Sequence, residues 1–336
     1  VNRERIRWGI LSTANIGVKR FIPGVLASPN GEIAAVASRE LDRARDVANE
    51  LGIPKAYGSY EELLADPNID AIYNPLPNAL HAQWTIAAAK AGKPILCEKP
   101  LAVSSAEAQD MIDAAERCGV PLMEAFMYRF HPQHARVREL LDRGELGEVR
   151  AVRSAFTFQL EPFKPENVRL RGDLAGGALM DVGCYCVNAA RMVFGEEPIS
   201  ASAQWDFRAI YGVEVSLAGI LTFSGGRTAT FDCGFRAAGV GSYSIACERG
   251  QIDVPAAFVP DAATETTVRV TVRGDERYER IAGVDQYERE ATEFADAILR
   301  QRPLRIPPSD AVATLRAIEA LHRSARANGI REAVAA

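Results

Sequence analysis

Lysine, tyrosine and aspartate stand in this chain where they could move protons. In "GKPILCEKPLA" (92–102) the apolar run Ile95-Leu96-Cys97 leads straight into Glu98, Lys99 and Pro100. A buried strand that ends this way delivers a lysine to the edge of a sheet. Partial desolvation beside a ligand cation would lower its pKa towards general acid/base use. Pro100 fixes the backbone after it and suits a cis peptide. The competing reading is a solvated Glu-Lys pair on a loop. A second group stands in "GGALMDVGCYCVNAAR" (176–191), where Asp181 and Tyr185, four residues apart, share one helical face. Gly176 and Gly177 before them allow backbone to approach a ligand closely. Here the competing reading is a core helix with a half-buried tyrosine and an aspartate offsetting the helix dipole.

The elements that must carry these residues fall into two rhythms. Up to about residue 125, short apolar strands ("IRWGIL" 6–11, "EIAAVAS" 32–38, "AIYNP" 71–75, "PILCE" 94–98, "PLMEAF" 121–126) alternate with amphipathic helices (41–52, 60–66, 79–92, 104–119), several of which stop at glycine. That alternation predicts a doubly wound parallel sheet covered on both faces. Ligands then lie beyond the carboxyl ends of the strands, where Glu98-Lys99-Pro100 and Asn74-Pro75-Leu76-Pro77-Asn78 both fall. After residue 146, "VRAVRSAFTFQL" (149–160), "VEVSLAGILTF" (213–223) and "RTATFDCGF" (227–235) alternate with period two, the last two joined by a hairpin through Gly225 and Gly226. One helix interrupts this half (176–195) and two close the chain (about 286–300 and 309–327). The expected division is 1–125 for a dinucleotide-binding domain and 126–336 for a substrate-binding and oligomerisation domain. Phe231, Cys233 and Phe235 should face a core. Thr228, Thr230 and Asp232 should face away, on a polar face suited to a second copy of the chain.

The first strand-to-helix turn reads "GILSTANIGVKRF" (9–21). In the G-x-G-x-x-G register of a dinucleotide-binding turn it offers Ser12, Ala14 and Gly17, so small residues stand where backbone amides approach a pyrophosphate. A generic turn of another doubly wound protein fits the same residues. At the end of the second strand, where NAD-preferring folds place an acid, stand Ser38 and Arg39, with Arg43 one turn on. Hydroxyl and guanidinium suit a 2′-phosphate and favour NADP over NAD, unless Arg39 merely caps a solvated loop.

The chain has 336 residues, too many for one ordinary core. Its net charge of -5 is spread without a basic block, which argues against nucleic acid as a partner. No apolar run is long enough to cross a bilayer, and the amino-terminal "VNRERIRWGIL" has no apolar signal core. Six cysteines lie inside strand and helix patterns, which predicts a reducing compartment, the cytoplasm. Cys184 and Cys186 lack a His or Cys cluster around them, so no metal site is expected. His131 and His134 stand at the junction of the halves, where substrate contact and packing remain open, and His322 reads as a solvated surface residue.

"ILCEKPLA", "NPLPNALHAQWTIAAAKAGK", "MEAFMYRFHPQ" and "GGALMDVGCYCVNAAR", in this order, resemble the glucose-fructose oxidoreductase, inositol dehydrogenase and rhizopine-catabolism (Gfo/Idh/MocA) family. The likeness runs over nearly the whole chain. It implies an N-terminal Rossmann domain and a C-terminal α+β domain with a large, mostly antiparallel open sheet, often an oligomer interface. It further implies hydride transfer between NAD(P) and a sugar-like secondary alcohol or ketone. Lys99 matches the lysine of the E-K-P motif, and Asp181 and Tyr185 match the D-x-x-x-H/Y pair. Tyrosine there, with Ser-Arg after the second strand, resembles the branch of glucose-fructose oxidoreductase, xylose dehydrogenases and dimeric dihydrodiol dehydrogenase, consistent with NADP. By position, Ser12, Thr13, Ala14, Asn15, Ile16, Ser38, Arg39, Arg43, Leu76, Pro77, Asn78, His81, Glu98, Lys99 and Arg129 are the implied cofactor contacts. Lys99, Arg169, Asp181 and Tyr185 are the implied substrate contacts. The resemblance also leaves open an α-dicarbonyl or anhydroketose reductase using the same residues, and a non-catalytic dinucleotide-binding regulator.

Overall fold

The structure, a computed structural model, describes residues 4–335. Contacts group the chain into two units, residues up to Met127 together with Asp285–Val312, and Tyr128–Val284 together with the segment from Ala313.

The first unit alternates strand and helix: β1 (Ile6–Leu11), α1 (Ile22–Ala27), β2 (Gly31–Ala37), α2 (Leu41–Leu51), β3 (Lys55–Tyr57), α3 (Tyr60–Ala65), β4 (Ala71–Asn74), α4 (His81–Lys90), β5 (Ile95–Glu98), α5 (Ser105–Cys118) and β6 (Leu122–Ala125). All six strands pair in parallel in the order β3-β2-β1-β4-β5-β6. The strand order turns back between β1 and β4, the place where such sheets open a crevice for a ligand. Local sequence sets the helix boundaries. Ser59 and Ser104 cap α3 and α5 by accepting the Glu62 and Glu107 N–H groups, and α2 and α5 stop at Gly52 and Gly119 in the left-handed region.

The second unit contains α6 (Pro132–Asp142), β7 (Val149–Gln159), α7 (Cys184–Phe194), β8 (Ser200–Arg208), β9 (Val213–Thr222), β10 (Thr228–Gly234), β11 (Arg236–Cys247), β12 (Gly250–Val254), β13 (Thr266–Val272) and β14 (Asp275–Ile281). Helices α8 (Gln286–Leu299) and α9 (Ser309–Arg326) and the short β15 (Glu332–Ala333) follow. The nine-stranded sheet runs β14-β13-β12-β11-β7-β10-β9-β8-β15 and is antiparallel except at β7–β10. The β9–β10 hairpin turns through Gly225 and Gly226, both at positive φ. On β10, Phe231, Cys233 and Phe235 beyond its end are buried while Thr230 and Asp232 are exposed, the alternation expected of a half-covered sheet. Gly183 explains how the helical segment lies so close on β10: a Cβ there would stand 2.8 Å from Cys233 Sγ.

Helix α8 returns to the first unit. A Cβ on Gly24 of α1 would stand 2.8 Å from the Glu288 nitrogen, so the two helices touch backbone to backbone. Beneath them Trp8 meets Phe21 edge-on at 5.2 Å and Phe294 at 5.6 Å, and Phe21 stacks on Tyr73. Each such ring contributes about 1.5–3 kcal/mol by leaving water. Gly17, the last small residue of the first turn, has ordinary room, since a Cβ there would meet Pro75 at 3.5 Å. The tight approach falls at Gly24 instead.

Candidate active site

In the first unit, register brings Asn74 of β4 beside Cys97 of β5, so the loops that follow share one rim of the sheet. Tyr73 Oη donates to Glu98 Oε1 at 2.5 Å, and Leu101 N–H donates to Glu124 Oε1 at 2.8 Å, which fixes the backbone on either side of Lys99. The Lys99–Pro100 peptide is cis, as the sequence suggests. Lys99 itself is half-buried. His81 is fully buried, with Nδ1 2.9 Å from the Pro100 carbonyl and Nε2 2.7 Å from the Leu76 carbonyl. Burial pushes its pKa down, and a neutral ring can donate to only one of those two oxygens. His81 is therefore wedged between the two loops, one ring nitrogen against a carbonyl of each and a hydrogen bond to one of them. Asn74 braces the first of these loops from within, donating to the His81 carbonyl and Thr85 Oγ1 while accepting from Leu76 N–H. Pro77 and Asn78, half-buried, follow on the same loop.

The turn after β1 keeps a glycine's conformation without the glycine. Ser12 has φ 95, its Oγ accepts the Ala14 N–H at 3.2 Å, and its own N–H donates to the Ala37 carbonyl. A side chain held at such a φ costs about 1–3 kcal/mol. Helical conformation begins at Asn15, so the N–H groups around Ala14, Asn15 and Ile16 lie at a helix start with Thr13 just before them. Beyond β2, Ser38 is buried and accepts the Glu40 N–H, while Arg39 and Arg43 are exposed, Arg43 beside Glu40 at 3.1 Å. Small turn residues, a helix start and two cations at the end of β2 fit a dinucleotide carrying a 2′-phosphate.

In the second unit the segment before α7 enters through a π turn, Leu179–Gly183, and not as the single α-helix expected from 176. Such turns add a residue to the helical circuit and recur at functional sites. Asp181 lies in that turn and Tyr185 in the α-helix after it. Arg169 Nε donates to Asp181 Oδ2 at 2.6 Å, and its guanidinium lies 5.7 Å over the Phe158 ring. Tyr185 sits in an aromatic box, with Phe156, Phe258 and Tyr128 at 5.2, 5.5 and 5.6 Å. Tyr128 Oη donates to Asn188 Oδ1 at 2.5 Å, one turn along from Tyr185. Arg129, on the short turn Met127–Phe130, is half-buried.

The histidines outside this group have structural work. Burial pushes His131 down to about 4, and its neutral Nδ1 accepts the Gln133 N–H as the cap of α6. His134 Nδ1 lies 2.9 Å from Tyr243 Oη, both side chains buried. His322 is not the solvated residue its arginine neighbours suggest: its side chain is 19% exposed and faces Glu214. The six cysteines form no disulfide, and burial pushes the Cys186 thiol up to about 12. Among the described residues no three His, Cys, Asp or Glu side chains stand together as metal ligands.

Residues 6–126 match the model of an oxidoreductase family with an NAD-binding Rossmann fold, and residues 134–253 match the GFO/IDH/MocA C-terminal domain. A D-xylose 1-dehydrogenase (NADP(+)) of Haloferax volcanii is 43% identical over 95% of this chain and 97% of its own. The chain belongs to the GFO/IDH/MocA family of oxidoreductases. A trans-1,2-dihydrobenzene-1,2-diol dehydrogenase of Xenopus laevis is 39% identical over 74% of this chain and 75% of its own. A 3-ketoreductase of Actinomadura kijaniata, solved with NADP and TDP-benzene, superposes with a TM-score of 0.90 at 31% identity, covering 95% of this chain and 98% of its own.

This family member thus gathers its sequence-read residues into two groups. The turn 12–16, Leu76 to Asn78, Glu98 and Lys99 stand along the carboxyl edge of the first sheet, with Ser38 and Arg39 at the end of β2. In the second unit Arg169 and Asp181 meet in an ion pair, and Tyr185 follows four residues on, inside its aromatic box. Sequence reading missed Tyr73, which holds Glu98, and the rings around Tyr185 and Arg169. Phe156 and Phe158 carried a usable signal, since their period-two spacing on β7 puts both on the face that Tyr185 covers.

Proposed function

We propose that this chain is an NADP-dependent dehydrogenase acting on a secondary alcohol or hemiacetal of a sugar, polyol or dihydrodiol, and on the corresponding ketone in reverse. The observation that carries the reading is the Arg169–Asp181 pair ahead of Tyr185 in the second unit, in a chain whose first unit places Lys99 at the end of β5 on a dinucleotide-binding frame; we assign Lys99, Asp181 and Tyr185 to proton transfer. The similarity to the xylose and dihydrodiol dehydrogenases supports the substrate class. Ser12, Thr13, Ala14, Asn15 and Ile16 would hold the pyrophosphate, and Ser38, Arg39 and Arg43 the 2′-phosphate. Leu76, Pro77, Asn78, Glu98 and Arg129 would line the remainder, with His81 packed between the loops. When bound, NADP supplies the hydride acceptor or donor at its nicotinamide ring.

The protein's residues handle the proton. Tyr185 or Lys99 accepts the hydroxyl proton of the substrate in oxidation and returns it in reduction. Asp181, held by Arg169, orients the group and balances positive charge. Phe158 and the box around Tyr185 offer faces against which the carbon skeleton of a ring can lie. We assign the functional division as 1–125 for cofactor and 126–336 for substrate and assembly. The exposed side of the nine-stranded sheet, with Thr230, Asp232 and Ile220, carries a depression of about 390 Å³ lined in part by Gln204, Ala218 and Arg236, and we infer that it pairs two copies into a dimer or tetramer. No described helix is long and apolar enough to cross a membrane, and a reducing cytoplasmic setting suits the free thiols. Nicotinamide absorbance with NADP⁺ or NAD⁺ against aldoses, inositols and dihydrodiols tests the reading. Turnover preferring NADP⁺ supports it; cofactor binding without turnover in either direction favours the regulator.

A further inference from the structure

Beneath the segment that carries Asp181 lies a carboxylate with no part in the chemistry above. Glu214, on β9, is 4% exposed. Its Oε1 accepts the Leu179 N–H at 2.9 Å. That amide belongs to the first turn of the helical segment, whose N–H groups have no partner within it. The same carboxylate presses on Gly177: a Cβ there would stand 2.6 Å from Oε1, and the glycine has φ 111. Gly177 is the hinge on which Asp181 hangs. Its N–H donates to the Arg169 carbonyl at 2.9 Å, and its carbonyl accepts the Asp181 N–H at 3.0 Å. The Arg169 side chain then closes the circuit on Asp181 Oδ2. Gly176 fits as closely, since a Cβ there would stand 2.6 Å from the Val168 and Arg169 carbonyl oxygens.

A buried carboxylate needs charge compensation, and one amide hydrogen bond is a small share of it. His322 of α9 stands behind, its Nε2 3.6 Å from Glu214 Oε1, too far for a hydrogen bond yet close enough for an ion pair when protonated. That nitrogen is buried with no hydrogen-bond partner, and the ring leans on Trp205 at 6.0 Å. An apolar residue at 214 would fill the space but leave the Leu179 amide orphaned and Gly177 unsupported.

We propose that Glu214, backed by His322, is the positioning residue that sets Asp181 against Arg169. The inference rests on the reading of Asp181 as part of the proton-handling set. Its test uses the full chain with Glu214→Asp, which withdraws the carboxylate, Glu214→Ala, and Glu214→Gln, which keeps an oxygen for the amide. Asp181→Asn serves as the reference.

Two readouts are taken. The first is hydrogen exchange of peptides spanning 178–183, which needs no substrate; loss of the anchoring hydrogen bond speeds it by about tenfold in Glu214→Asp and Glu214→Ala. The second is turnover of the best substrate of the panel: kcat falls by about 10–100-fold through misplacement, KM and NADP⁺ affinity hold, and Glu214→Gln recovers most of the loss. Unchanged exchange overturns the anchor, and faster exchange with unchanged kcat overturns the positioning role. A loss in Asp181→Asn with none in the Glu214 variants contradicts the inference alone. An Asp181→Asn enzyme as fast as the wild type contradicts the reading of the site.

Discussion

Ser12 shows how a residue can depart from a motif while the backbone obeys it. Its φ of 95 is the conformation a glycine would take there, so the small side chain is tolerated at a conformational cost. Ser12→Gly should therefore raise stability by about 0.5–2 kcal/mol, measured by urea unfolding, with NADP⁺ affinity equal or tighter. Arg39 belongs to the same scale. Arg39→Glu places an acid where a 2′-phosphate would sit, and the ratio of NADP⁺ to NAD⁺ affinity by titration should fall by about tenfold or more. The residues assigned here to proton transfer were legible because Lys99, Asp181 and Tyr185 each lie in a short stretch with its own spacing. Tyr73, Phe258 and Glu214 were not, because each acts through a contact far along the chain. Strand register sets those contacts, and no local pattern prints it.

Helix α8 carries the clearest case at the scale of an element. Its period was legible, and so were its ends, but its return to the strands of the first unit was not, since that pairing depends on Gly24 meeting the backbone at Glu288. Strands β11 and β14 were missed for different reasons. "RAAGVGSYSIAC" is too rich in small residues for a clean alternation, and "DERYERI" is a charged edge strand. Buried on α8 is Glu290, fully enclosed, with no hydrogen-bond partner on either oxygen. Burial, with Glu98 adding repulsion, pushes its pKa well above the usual carboxylate range. The folded state thus holds a proton that the unfolded state releases, so stability from this group is present below the ordinary carboxylate pKa and is lost as pH rises above it. Glu290→Gln removes that dependence. Its stability relative to the wild type should improve from pH 5 to 8 by up to about 1.4 kcal/mol per pH unit, read from unfolding midpoints at several pH values.

For the whole molecule, the two rhythms of the sequence foretold a parallel sheet followed by a mostly antiparallel one, and the six- and nine-stranded sheets follow them. The open side of the larger sheet mixes hydroxyls, small residues and an Ile220 that is 46% exposed. If that side pairs two copies, light scattering gives at least a dimer, and Ile220→Arg together with Thr230→Arg gives a monomer. Lys99 is the residue on which turnover should hinge, so wild type and Lys99→Met are compared in NADP⁺-linked oxidation of the best substrate among the aldoses, inositols and dihydrodiols, with NADP⁺ binding measured alongside. In Lys99→Met, kcat should drop by about 10²–10⁴-fold while NADP⁺ affinity is retained. A Lys99→Met enzyme that turns over as fast as the wild type would contradict the assignment of Lys99 to proton transfer.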